Sequence, residues 1–297
     1  MTGNGDDDQK KKKKFLGLFD FFKKSDNKAD KLGQKPPQVR REVARFADTA
    51  ANKRAQNYDR LEAITGLADL AQPLTNEAEL EKTEKGRAQL EEHEKTRVDA
   101  AAALLHRFKF VIDPTITDAE EKQIAFEGIQ GVGKGILEPL RTFVEKHQNE
   151  SISWPIKILK SAYADDEEAF VGELLGWLSK WDTEYAKFVD SKVQLLVELE
   201  EHKDPRILEA TTDFLLDVNE TSRYHAVGCA LSQGDDAAIA PLVDMFIDEE
   251  SLRIRNRVCE GFIKTGWVVP EDKRPDMRKF LPSEYSIDGE GKIRRKG

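Results

Sequence analysis

Arg206–Gly234 reads RILEATTDFLLDVNETSRYHAVGCALSQG, and Ala238–Gly266 reads AIAPLVDMFIDEESLRIRNRVCEGFIKTG. The second stretch repeats the first 32 residues later. The shift pairs Ile207 with Ile239, Phe214 with Phe246, Leu215 with Ile247, Leu231 with Ile263 and Gly234 with Gly266. Each copy carries two apolar stripes at helical spacing. In the second copy Ile239, Leu242, Val243 and Phe246 share one face, and Asp248–Ser251 breaks the pattern, with Ser251 placed to cap the next helix. Leu252, Val258, Cys259, Phe262 and Ile263 follow, and Gly266 stands where a helix ends. Neither helix can bury its stripe alone. A fixed period of this size predicts stacked two-helix units and breaks near Val218, Gly234 and Glu250.

Weaker copies lie upstream. Leu137–Val144 matches Ile239–Phe246, with Ser151–Tyr163 as the second helix. Ala100–Phe108 pairs with Asp118–Val132, Glu167–Lys180 with Thr183–Glu201, and Gln38–Ala51 with Gln56–Ala71. The count is about six pairs over residues 37–266. A charged stretch, 73–96, reads as a solvated helical insertion between the first two pairs.

The repeat resembles the HEAT family. The likeness rests on Pro241 in a first helix, Asp217 and Asp248 at first-helix ends, and Arg223 with Arg253 or Arg255 near second-helix starts. It implies an all-α fold, a right-handed α-α superhelix, in which those Asp and Arg residues brace the turn within each pair. It further implies a concave face lined by second helices and used to bind another protein.

Charge is unevenly distributed. Residues 10–60 hold 16 Lys/Arg and 6 Asp/Glu, a net +10, whereas residues 61–297 hold 31 and 47, a net −16. Phosphate neutralisation dominates nucleic-acid affinity, so an acidic repeat body argues against a nucleic-acid partner.

Residues 1–36 form a basic arm with no capacity for a core, expected to be disordered, except for one segment. As a helix, Phe15–Phe22 sets Phe15, Leu18, Phe19 and Phe22 on one face. Lys10, Lys11, Lys12, Lys13 and Lys14 precede it, and Lys23 and Lys24 follow. Such a segment suits an anionic membrane surface, a partner's groove, or docking back on the first pair. The apolar run is short, Asp20 interrupts it, and no small-residue cleavage site follows, unlike a secretory signal. The expected location is cytoplasmic, peripheral to the membrane through the arm. Pro36-Pro37 closes the linker. Residues 267–297 read as a cap, with Trp267–Pro270 sealing the last pair and a hairpin around Asp288-Gly289.

Catalytic patterns fare poorly. Gly128–Lys134 fits the front of a phosphate loop, but Gly135 stands where Ser or Thr would bind magnesium, and no strand precedes it. His93-Glu94 is a lone His-Glu pair, whereas the HEAT-fold di-iron hydroxylases need several. Cys229 and Cys259 fall on apolar helix faces without metal spacing. No cofactor or metal is expected. The rival reading is a HEAT-fold DNA glycosylase acting on alkylated bases, with Trp154, Trp177 and Trp181 beside Asp182. The phase of Trp177 with Leu174 and Leu178 assigns it to the core instead.

Overall fold

A computed structural model describes residues 38–147, 150–185 and 189–296. The arm, with its Phe15–Phe22 segment and flanking lysines, lies outside the described residues. The fold is helical: fourteen α-helices and one antiparallel hairpin among the described residues. By contact the described residues divide after Val132 into two compact units.

In the first unit, α1 (Gln38–Ala50) packs on α2 (Asn57–Leu70), and the short α3 (Glu77–Leu80) leads into α4 (Glu84–Leu105) and α5 (Thr115–Gln130). Both α1 and α2 pack against α4, and α2 and α4 against α5. The shared core holds Val43, Ile64, Leu67, Leu104, Leu105 and Ile129. The 73–96 stretch, expected as a solvated helical insertion, runs without a break into the next helix. Its second half is the start of α4, a single 22-residue helix capped by the Thr83 hydroxyl, which accepts from Gly86 N at 3.0 Å. No helix breaker stands between Lys95 and Ala100, so the charged pattern is one exposed flank of a longer helix. Thr96 is already buried.

The second unit begins with α6 (Leu137–Lys146), α7 (Ser153–Ala162) and α8 (Glu167–Leu178), followed by α9 (Asp190–Glu200). The helix expected over 183–201 thus starts later, at Asp190. The two copies then follow as α10 (Pro205–Thr211) with a 3-10 turn at Asp213–Leu216, α11 (Glu220–Gln233), α12 (Ile239–Asp248) and α13 (Leu252–Thr265). The breaks fall at 217–219, 234–235 and 249–251.

The caps repeat in register. Asn219 Oδ1 accepts from Ser222 N at 3.0 Å, and Ser251 Oγ accepts from Ile254 N at 3.4 Å. Gly234 and Gly266 end the two helices with φ of 68° and 75°, a conformation that only glycine adopts without strain. The helices α9, α11 and α13 lie side by side, α11 between the other two.

Phe214, Leu215, Leu242 and Phe246 are buried as their spacing predicts. Other apolar residues depart from it, and Ile239 is only half-buried. Leu231 is half-buried, resting over Gly261 where α11 and α13 approach closely. Ile263 and Leu252 face solvent, 37% and 58% exposed. Helical spacing marks a shared face but cannot show how fully a neighbour covers each position on it.

Beyond Gly266 the chain is more helical than expected. A 3-10 turn at Glu271–Lys273 leads into α14 (Arg274–Phe280), which packs on α12. The same order, a 3-10 turn at Asp236–Ala238 and then a helix, builds α12 itself. The hairpin follows as β1 (Tyr285–Ile287) and β2 (Ile293–Arg295), with Ile287 opposite Ile293. Strand β2 packs against α13, where a second helix would otherwise lie. Trp267 stands edge-on to Phe262 at 5.5 Å, and the buried Val269 donates to Gly291 O at 2.9 Å.

Candidate interaction surface

The turns inside the two copies are braced by buried carboxylates. Asp217 accepts Asn219 N at 2.7 Å and the Lys192 ammonium at 2.5 Å, with both side chains fully buried. In the next copy Glu249 accepts Ser251 N at 2.7 Å and Arg223 at 2.7 and 2.9 Å. The pattern is one cation per second helix reaching forward to the next turn. Burial alone would raise the Glu249 pKa, but the hydrogen bonds from Arg223 and the Ser251 backbone outweigh it and hold the carboxyl below its ordinary value.

The residue equivalent to Asp217 is therefore Glu249, not Asp248, which is exposed. The 32-residue shift itself makes that match, because Asp248 falls opposite Leu216. Lys192 lies 31 residues before Arg223, a signal hidden by the change of residue type. Arg255 lies 32 after Arg223 and continues the row, but Leu281 stands where the next carboxylate would be. Its guanidinium lies 5.3 Å from the Phe280 ring and 5.9 Å from Phe246, and its Nε is buried without a hydrogen-bond acceptor among the described residues. Arg253 points elsewhere, over Tyr224.

A second cluster spans α9, α11 and α13. The guanidinium carbons of Arg253 and Arg257 lie 3.6 and 4.0 Å from the Tyr224 ring centroid. Arg257 donates to Tyr224 O at 3.0 Å and pairs with Glu200, which also meets His225 Nδ1 at 3.1 Å. Arg257 thus reaches from α13 across α11 to α9. Gly228 makes this possible, since a Cβ there would overlap both the guanidinium and the carboxylate. Burial opposes ionisation of Glu200, but the hydrogen bond from His225 and the charge of Arg257 win, and its pKa is lowered. Arg253 is exposed and has no carboxylate partner among the described residues. Val197, one turn before Glu200 on α9, is 42% exposed. The cluster was not legible from spacing, because its members meet only when three helices are laid together.

The remaining candidates resolve simply. Of the phosphate-loop match, Gly128 lies buried within α5, while residues 131–136, with Gly131, Gly133 and Gly135, form a turn and a short 3-10 helix after it. Lys134 pairs with Asp166 at 3.4 Å. Both cysteines are buried free thiols. Burial raises the Cys229 pKa far above its ordinary value and pushes Cys259 up to about 12. Neither is poised as a thiolate at neutral pH. Among the described residues no three His, Cys, Asp or Glu side chains are grouped to hold a metal, and no helix is long and apolar enough to cross a membrane. Trp177 is 5% exposed, in the core. No protein-family model, curated protein or solved structure matches this chain.

Proposed function

We propose that this chain is a non-catalytic scaffold, a right-handed α-α superhelix of about six HEAT-like pairs, that holds a protein partner on its second helices. The observation that supports this best is the Tyr224 cluster. Tyr and Arg are the residue types that dominate binding energy in protein interfaces. Here a Tyr ring is fixed under two guanidinium groups, one of them exposed and unpaired among the described residues. Because packing already orders these side chains, a partner would lose little conformational entropy on meeting them. A mixed-charge face suits a protein better than a phosphate backbone.

Quantitative affinity capture from the source cell tests the face. The variants Arg253→Glu and Val197→Asp alter exposed positions, so folding should survive. Both should lose the proteins enriched by the unmodified chain, while Lys203→Glu, the same charge change at an exposed turn, should keep them. Equal capture by all four would exclude this face.

The Phe15–Phe22 segment is proposed as the anchor that sets a cytoplasmic, membrane-peripheral location. Each fully buried large apolar side chain contributes roughly 1.5–3 kcal/mol, and each lysine near anionic lipid up to about 1 kcal/mol. Deleting residues 1–24 should abolish co-sedimentation with anionic vesicles, and Phe19→Asp should weaken it sharply. Sedimentation unchanged in both variants would rule out the anchor.

A further inference from the structure

The turn edge of the second unit differs from the second-helix face, and the 32-residue period supplies an internal comparison there. Leu216 and Val218 flank the buried Asp217, and Asp248 and Glu250 flank the buried Glu249 at the equivalent positions. These flanking positions face solvent in both copies. Leu216 is 71% exposed and Val218 60%, and Asp248 and Glu250 are exposed too. Packing therefore does not require apolar side chains here, because the neighbouring copy builds the same turn with carboxylates. Exposure of two adjoining apolar residues at such positions is thus a cost that the fold itself does not demand.

Between the turns lies a groove of about 330 Å³. Leu215 and Met245 form its buried floor, Leu216 and Val218 one lip, and Asp248 and Glu250 the other. Arg223 also borders it, but Glu249 already holds that guanidinium. Neither Asp248 nor Glu250 has an ion-pair partner among the described residues. The groove is thus apolar below and anionic above, with its nearest cation neutralised. Its volume falls at the small end of the roughly 300–1,000 Å³ usual for ligand clefts, room for one or two side chains.

We propose that this groove takes a short segment of a partner protein that carries a large apolar side chain next to lysine or arginine. The apolar side chain would cover Leu216, Val218 and Met245, and the cation would meet Asp248 and Glu250. An acidic segment or a nucleic acid would meet the same carboxylates as repulsion. This inference does not rest on the Tyr224 face and survives its loss.

An array of synthetic peptides tests it directly. Each peptide places one or two Leu, Ile or Phe residues beside Lys/Arg or, in a matched set, beside Asp/Glu. The tightest basic peptide is then titrated by fluorescence anisotropy against the full chain. The double variant Leu216→Asp with Val218→Glu installs carboxylates at positions where the neighbouring copy already has them, so it should melt normally. It should bind at least about tenfold more weakly, as expected when two apolar contacts are lost. Asp248→Asn with Glu250→Gln, nearly isosteric and exposed, should also weaken binding and flatten its salt dependence. Three results would overturn the proposal: no basic peptide bound, acidic peptides bound equally well, or an affinity that both variants leave unchanged. If the first variant fails to melt cooperatively, the second decides alone.

Discussion

Replacing Glu121 with alanine should lower the stability of the first unit by about 3–5 kcal/mol, the range for removing one partner from a buried ion cluster. Glu121 is fully buried on α5. One oxygen accepts from Arg60 Nε at 2.8 Å and from Arg107 Nε at 2.7 Å, and both guanidinium groups are buried. Without that carboxylate, Arg107 keeps Asp118 at 2.8 Å and Phe110 O at 3.0 Å. Arg60 keeps only the neutral oxygens of Ala55 and Asn57 among the bonds described. A buried guanidinium without a counter-charge is the costly product. Asp118 illustrates the balance: burial opposes its ionisation, but hydrogen bonds from Lys122 and Arg107 prevail and its pKa is lowered. Replacing Arg60, Arg107 and Glu121 together by apolar residues of similar volume should cost less than Glu121→Ala alone, because no charge is stranded. Urea unfolding followed by far-UV circular dichroism measures both. A loss below about 1 kcal/mol for Glu121→Ala would mean that water reaches the cluster.

Lys192→Ala should cost the second unit a similar amount, about 3–5 kcal/mol. The Lys192 ammonium donates to Asp217 Oδ2 at 2.5 Å and to Asp182 O at 3.0 Å. Its loss leaves the Asp217 carboxylate buried, bonded only to Asn219 N among the described donors. Arg223→Ala should cost distinctly less. Arg223 makes the equivalent bridge, but its side chain is 20% exposed, so water can reach Glu249 once it is gone. Trp154, Trp177, Trp181 and Trp267 are all the tryptophans of the chain, and all lie in this unit, so their fluorescence reports its unfolding alone. Equal losses for the two variants would show that burial does not set the strength of these bridges.

The helices of residues 206–266 were legible because each rule acts locally: apolar stripes, the Ser251 cap, and glycine at positions 234 and 266. The hairpin was legible for the same reason. What stayed hidden depends on contacts distant in sequence. Arg60, Arg107 and Glu121 have no mutual spacing, so nothing local marks them as one buried cluster. The brace at Glu249 was obscured because likeness of residue type pointed to Asp248, whereas phase points one residue on. Helix α14 is short, begins with Arg274-Pro275, and follows Pro270, so its pattern is too brief to show periodicity. Its packing on α12 stabilises it from outside. Of the candidate site residues, Asp217 and Arg223 meet buried partners, Arg255 continues their row without a carboxylate, and Arg253 belongs to the Tyr224 cluster.

Excision of one period tests most directly whether residues 206–266 are two copies of one stacking unit. Removing residues 219–250 takes out 32 residues, including α11 and α12, and joins Val218 to Ser251. The join keeps Lys192 with Asp217, restores an N-cap two residues after the buried carboxylate, and lays α13 where α11 lay. The expected result is a shortened chain whose tryptophan fluorescence still reports one cooperative thermal transition, at a lower temperature than the parent. Removing residues 219–242, out of phase, should abolish that transition, because the remaining helix would present the wrong face. Loss of cooperative melting in both deletions alike would contradict the repeat, and with it the scaffold built upon it.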